Sequence, residues 1–470
     1  MKRKILSLIL VFSLMLATSA IVFAEGMNAN SAENGFGGAT VEEVYLDTDT
    51  SRMRMLIASD VHYSSGTDPA VNSPYITLKD VYGIDREEKM QKFIDGILRE
   101  NFIEEIDCVL ILGDLGYNDK PFQYFSRQYC TSIGKIYTTF TDADWSGWHA
   151  YMMKNFYASE YDTLYQFKVN YLDQLTAAGI PYYVTSGNHD PYTIEMWQKT
   201  FGQPAYDKDG NLVQDAHMYF TYNEDGTVFS CDYMLAFPEH DTAFAMLDTY
   251  SWQEDSVTHK PVDRCIKYLN SDNLYYTPVK NDETRKANFE EMVEAAKDYQ
   301  HFYIGSHYYD APTYDGSTTA DRVYLATEGN KYGNLRMMIY GHNHEGSTST
   351  TTNENGTKIP VSAAAHWSHQ GFQNSFYNKD TGEKETMWYA VEPCPWGYIS
   401  IENTVDEAIY YRIHIDATYE LDTAIKNHVI NNIDKTGTAS SDQFCVPYGL
   451  PFVVEYTRKN AMTLYTKTEG

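Results

Sequence analysis

Short apolar runs recur along the chain, and most of them stop abruptly at a glycine, an acid or a histidine. Met53-Arg54-Met55-Leu56-Ile57-Ala58 reads as a strand and runs into Ser59-Asp60-Val61-His62. Cys108-Val109-Leu110-Ile111-Leu112 is continuously apolar, as expected of a strand buried on both faces, and ends in Gly113-Asp114. Ile180 to Val184 leads into Gly187-Asn188-His189-Asp190, Phe244 to Leu247 into Asp248, and Phe302 to Ile304 into Gly305-Ser306-His307. Leu335 to Tyr340 is long enough for one buried strand and ends in Gly341-His342-Asn343-His344. Between these runs the period changes. Met90, Phe93, Ile94, Ile97 and Leu98 mark an amphipathic helix over Arg86–Glu100, Ala287–Tyr299 carries a second helical pattern, and Tyr161–Leu175 also reads as helical. Alternating strands and helices predict an α/β fold with a parallel or mixed sheet. A hairpin is expected around Met218–Phe237, and Gly397–Ile401 with Ala408–Ile415 alternate like two antiparallel strands. Residues 418–470 give mixed signals and receive no element.

The ends of the chain change the picture little for the fold but more for its address. Lys2, Arg3 and Lys4 precede an apolar run from Ile5 to Phe23, and Val22-Phe23-Ala24 suits signal-peptide cleavage, so residues 1–24 read as a secretory signal. The other reading is a retained N-terminal anchor, since the run is near the minimum that spans a bilayer. No cysteine follows it, which argues against a lipoprotein anchor, and no later stretch is apolar enough to cross a membrane. Residues 25–50, rich in Gly, Asn, Ala, Ser and Thr, read as a flexible leader. The domain expected to follow spans 51–417. The protein is thereby expected to be secreted or held at the cell envelope.

The 470 residues carry a formal charge of −29, and residues 1–24 contribute only bases, so the remainder is more negative still. Such a field disfavours nucleic acid as a bulk partner, yet leaves room for a small phosphate ester beside a locally held cation. Six cysteines without a Cys-x-x-Cys pair exclude a zinc knuckle; Cys108, inside an apolar strand, is expected to be a buried free thiol. The chain holds 41 tyrosines, and the stretch 117–178 is dense in Tyr, Phe and Trp. It is either a lid whose rings stack on substrate or a satellite core covering the sheet.

The chemistry lies at the strand ends. In layered α/β sheets the ends on one edge converge, and ligands bind there. Asp60, His62, Asp114, Asn188, His189, His307, His342 and His344 supply carboxylate, imidazole and amide oxygen, a donor set that suits Mn, Zn or Fe better than Mg or Ca. These are too many for one tetrahedral ion, and two ions sharing a carboxylate are the economical reading. His366 and His369 follow within reach of the last motif and read as surface or supporting residues, and Asp248 as a satisfied turn aspartate. No His-Glu-x-x-His, Gly-x-Ser-x-Gly or P-loop is present.

The ordered set Asp60-x-His62, Gly113-Asp114, Gly187-Asn188-His189-Asp190, His307 and Gly341-His342-Asn343-His344 resembles the calcineurin-like metallophosphoesterases over roughly Arg52 to Ile415. The resemblance implies a four-layer sandwich, two mixed β-sheets packed face to face with helices outside. It implies Asp60, His62, Asp114 and His344 on one metal, and Asp114, Asn188, His307 and His342 on the other, with Asp114 bridging. His189 would face the substrate as a general acid, and Asp190 would orient it. The implied reaction is hydrolysis of a phosphate mono- or diester, a small molecule or an envelope phosphodiester, by a hydroxide held between the metals. Gly113-Asp114-Leu115-Gly116-Tyr117 also matches the purple acid phosphatase form, in which the tyrosine binds ferric iron; those enzymes usually lack the histidine that His62 supplies. A cell-surface protein that keeps the metal cage without turnover is the alternative outside enzymes.

Overall fold

In the computed structural model, β1 (Met53–Ser59), β2 (Cys108–Leu112) and β3 (Tyr182–Thr185) run parallel and side by side. The structure describes residues 52–63, 86–116, 119–222, 228–248, 257–260, 283–308, 318–343, 348–367, 371–377, 384–390, 395–419 and 452–468. The expected signal and leader, Tyr117, His344 and His369 lie outside them. Helix α1 (Arg86–Ile103) crosses over from β1 to β2, and α2 (Asp119–Ile133) and α3 (Asp142–Asn155) occupy the aromatic-rich stretch before β3. Next come α4 (Ile194–Phe201), β4 (Tyr233–Phe237), β5 (Thr242–Leu247), α5 (Glu283–Ala295), β6 (His301–Ser306), α6 (Thr318–Gly329) and β7 (Leu335–Tyr340). The chain closes with β8 (Thr348–Thr352), β9 (Lys358–Ala363), β10 (Ala365–His366), β11 (Pro395–Asn403), β12 (Glu407–Tyr419) and β13 (Phe452–Thr466).

Two mixed sheets result. One is ordered β13-β12-β11-β1-β2-β3, with β10 beside β1; the other is ordered β8-β9-β7-β6-β5-β4. Strand alternation sorts the apolar residues into layers. On β5, Phe244 and Met246 join the core shared with Ile57, Ile111 and Ile399 of the first sheet. Ala243, Ala245 and Leu247 face the other way, onto Phe289, Met292 and Val293 of α5 and Leu325 of α6. On the first sheet, Tyr398 reaches α1, its hydroxyl donating to the Phe93 carbonyl at 2.6 Å. The α/β sandwich expected from the sequence is therefore present, helices outside and sheets facing each other.

Three stretches differ from the sequence expectation. Phe452–Thr466, left without an element, is a long edge strand paired along β12, so the first sheet extends well beyond residue 417. The polar edge strand β8, Thr-Ser-Thr-Thr-Thr, gave no apolar alternation to read. Tyr161–Leu175, expected as one helix, is a helix at Thr163–Phe167, a π turn at Lys168–Leu172 and a second helix at Asp173–Ala177. The π turn carries Tyr171 and, with Phe167, packs against Tyr63, at ring distances of 5.6 and 5.8 Å.

Much of the aromatic-rich stretch is interior, though Tyr165 stays exposed. Trp145 and Trp148 are buried and meet edge to face at 5.8 Å; the Trp148 indole donates to Ser126 Oγ at 2.8 Å. The buried rings of this stretch contact one another and are part of the main core. Cys108, Cys130 and Cys231 are free thiols, Cys108 buried as expected. Among the described residues no helix is long and apolar enough to cross a membrane.

Candidate metal centre

The strand ends meet because both sheets present their carboxyl edges to the same place. Just beyond β1, β2 and β7 the chain turns sharply: Asp60, His62, Asp114 and His342 all have left-handed backbones, with φ of 51, 51, 51 and 69°. Such residues cost of order 1–3 kcal/mol each and persist where surroundings over-determine them. Here the surroundings are a backbone lattice: Asp60 N–H donates to Gly113 O at 3.0 Å, His62 N–H to Asp114 O at 2.9 Å and Gly341 N–H to Ser306 O at 3.2 Å. The glycines of the motifs make room. A Cβ on Gly187 would collide with the backbone nitrogen and carboxylate of Asp114, and one on Gly341 would stand 2.8 Å from Leu112 O and 2.9 Å from His307 Nδ1.

Asp114 is the hub. One of its oxygens accepts the His189 N–H at 2.7 Å, while the other lies 3.2 Å from His307 Nε2 and 3.6 Å from His62 Nε2. Asp60 lies 3.7 Å from the same His62 nitrogen, and its second oxygen accepts from Ser59 Oγ at 2.5 Å and His342 N–H at 2.9 Å. Asn188 Oδ1 sits between two imidazoles, 3.1 Å from His307 Nε2 and 2.8 Å from His342 Nδ1. Two overlapping groups thus place their ligand atoms within 4.8 Å of one another: His62, Asp114 and His189, and Asp114, His307 and His342. His62, Asp60, Asp114, Asn188 and His307 are buried; His189 and His342 keep partial exposure.

The hydrogen-bond directions test whether this set fits a cation. His307 Nδ1 can only donate to the Leu112 carbonyl, 2.8 Å away. In the neutral ring Nε2 then carries a lone pair, and it faces two oxygens, Asp114 Oδ2 and Asn188 Oδ1. Acceptors facing acceptors in a buried site need a positive charge between them. Asn188 Nδ2 is buried without a hydrogen-bond partner among the described residues, so the amide is placed for its oxygen. The residues fit a metal centre.

The ionisation of these groups says the same. Burial alone raises the Asp114 carboxyl, but the His307, His189 and His62 imidazoles outweigh it and hold it well below the usual carboxylate range. Burial lowers His307, yet the Asp114 and Asp60 carboxylates overturn this and its pKa is pushed up to about 9. To serve as a ligand His307 must give up that proton, so metal binding is coupled to proton release. Asp190 is pushed up to about 7 by burial and by neighbouring Asp114, against the amides it accepts from. Its carboxylate takes the N–H groups of Leu115, Gly116 and Gly187 at 3.1, 2.8 and 3.1 Å. It therefore clamps the Asn188–His189 loop to the turn that carries Asp114.

His366 is a backbone member of β10. Asp248 is buried, with Ser186 Oγ donating to its side chain and its own N–H donating to Asp232 at 2.6 Å, a satisfied turn as expected. Sequence reasoning passed over Tyr308. Its ring packs edge to face on His342 at 4.6 Å, and its only sequence signal is an aromatic directly after a strand-end histidine.

Carboxylate, imidazole and amide donors gathered at the carboxyl edges of two facing sheets define a metal-dependent phosphoester hydrolase. The chain belongs to the calcineurin-like phosphoesterase family, whose match spans residues 53–346. No curated protein matches it in sequence. Among solved structures it is similar to a dimetal phosphatase from Danio rerio, at 12% identity and TM-score 0.41 over 76% of this chain and 95% of that one. It is similar also to GAP50, the anchor in the inner membrane complex of Plasmodium, at 11% identity and TM-score 0.32 over 77% and 84% of the two chains. A third likeness is to PhoD, at 12% identity and TM-score 0.34 over 77% and 66%.

Proposed function

We propose that this hydrolase is an exported phosphoesterase working at a two-metal centre, with Asp60, His62 and Asp114 on one ion and Asp114, Asn188, His307 and His342 on the other. His344, from the same motif as His342, completes the first set in this reading. The observation that carries it is the convergence of ligand atoms: His307 Nε2 lies within 3.1–3.2 Å of both Asn188 Oδ1 and Asp114 Oδ2, with its Nδ1 turned to the Leu112 carbonyl. Bound metal supplies positive charge for the phosphoryl oxygens and an activated water whose pKa falls to about 7. The chain's own residues do the rest. Asp114, reached from both halves, holds the halves in register. His189 keeps partial exposure, and its N–H is anchored on Asp114, so its ring is available to protonate the leaving alkoxide. Asp190 orients His189 through the loop backbone. Export is supported by the basic and apolar pattern of residues 1–24. The substrate is a small phosphate ester or an envelope phosphodiester.

The test is turnover of bis(p-nitrophenyl) phosphate and p-nitrophenyl phosphate by protein reconstituted with Mn, Zn or Fe. Hydrolysis of either, lost on chelation and regained with metal, is the expected result. Protein loaded with metal that turns over neither would favour a binding role instead.

A further inference from the structure

Resting on that reading, we propose that Tyr308 is a specificity-determining residue that holds the non-leaving substituent of a phosphodiester, with preference for a flat, aromatic group. At the centre Asp60, His62, Asp114, Asn188, Asp190 and His307 are sealed from solvent, so they offer substrate no surface. Among the described residues, those beside the centre that keep partial exposure include His189, Tyr308, His342 and Asn343. They divide between the halves. The His189 ring stands beside His62 at 5.0 Å, and the Tyr308 ring stands on His342 at 4.6 Å.

A phosphoryl group seated between the halves has its leaving oxygen at His189, the proton donor. The Tyr308 ring lies over the other half, where a monoester has only phosphoryl oxygens and a diester has its second organic group. That ring is pre-positioned: Ser306 Oγ donates to the Tyr308 carbonyl at 2.9 Å, and the ring packs on the main core. A held aromatic ring costs little entropy to use and takes another ring in offset or edge contact.

The experiment compares Tyr308→Ala and Tyr308→Phe with wild type on bis(p-nitrophenyl) phosphate and methyl p-nitrophenyl phosphate. Both share a leaving group and differ only in the retained substituent. Metal content is measured in each protein. The expected result is a drop of about tenfold in the ratio of kcat/KM for the diaryl over the methyl ester in Tyr308→Ala, carried by KM, with the ratio kept in Tyr308→Phe and metal retained. An unchanged ratio in Tyr308→Ala, or a loss that tracks lost metal, would overturn the role of Tyr308 while leaving the phosphoesterase reading intact. Wild type loaded with metal that hydrolyses p-nitrophenyl phosphate but neither diester would overturn the role of Tyr308 alone, and inertness on all three esters would overturn the phosphoesterase reading as well.

Discussion

Arg54 and Asp114 are each 1% exposed, near opposite ends of neighbouring parallel strands, and they anchor polar clusters of opposite design. Around Arg54 every charge meets its complement. Its guanidinium pairs with Glu100 at 2.6 Å, donates to the Glu100 and Glu104 carbonyls at 3.0 Å each and to Ser400 Oγ at 3.2 Å, and has Glu402 at 3.7 Å. Around Asp114 the ring nitrogens of His62 and His307 and the amide oxygen of Asn188 converge on carboxylate oxygens or on one another. The first cluster closes on itself and holds the sheet to α1. The second is open by one kind of charge. A buried polar cluster complete within the protein is structural; one short of positive charge is a site.

The comparison breaks most visibly at its hubs. Asp114→Asn removes the shared carboxylate, and activity is expected to fall by about 10⁴-fold, some 5 kcal/mol of barrier, while thermal unfolding shows the metal-free fold retained. Arg54→Met should do the reverse. It strands Glu100 and Glu402 in the interior and lowers unfolding free energy by about 3–5 kcal/mol in urea titrations, with kcat per folded molecule kept. His189→Ala sharpens the division inside the site. Metal content stays, alkyl esters slow by about 10²-fold, and esters with activated leaving groups slow much less. An equal loss on both ester types would remove His189 from the role of acid.

A last effect, small near neutral pH, concerns stability against acid. His217 stacks on Tyr182 at 3.9 Å, and burial, aided by Lys168, pushes its pKa down to about 3 from 6.5. The folded state resists a proton that the unfolded chain accepts. This contribution is complete above pH 6.5 and is lost as pH falls toward 3, at roughly 1.4 kcal/mol per pH unit once well below 6.5. His217→Phe should flatten that part of the acid unfolding profile; an unaltered slope would contradict the burial argument.

The residues of the centre were readable in the sequence because their chemistry is local. Each follows its strand within four residues, and the strand's apolar run is the strongest signal a single sequence carries. Asp60, His62, Asp114, Asn188, His307 and His342 are brought together as their strand-end positions require, while His344 falls outside the described residues. What escaped was set by contacts distant in sequence. The edge strands β8 and β13 owe their form to partners, as when Thr351 lies opposite Ile359, and their own alternation is weak. The resemblance assigns Asp190 to orient His189; its amide partners Leu115 and Gly116 come from another loop, which no local pattern announces. Tyr308 gained meaning only when β7 brought His342 beside it.

The central claim is that the Asp114 cluster is built around cations. Its most direct test is metal stoichiometry by mass spectrometry after reconstitution with Mn or Zn and desalting, for wild type and Asp114→Asn. The account predicts two equivalents in wild type and little or none in the variant. A folded wild type that retains no metal, or a variant that keeps both ions, would contradict it.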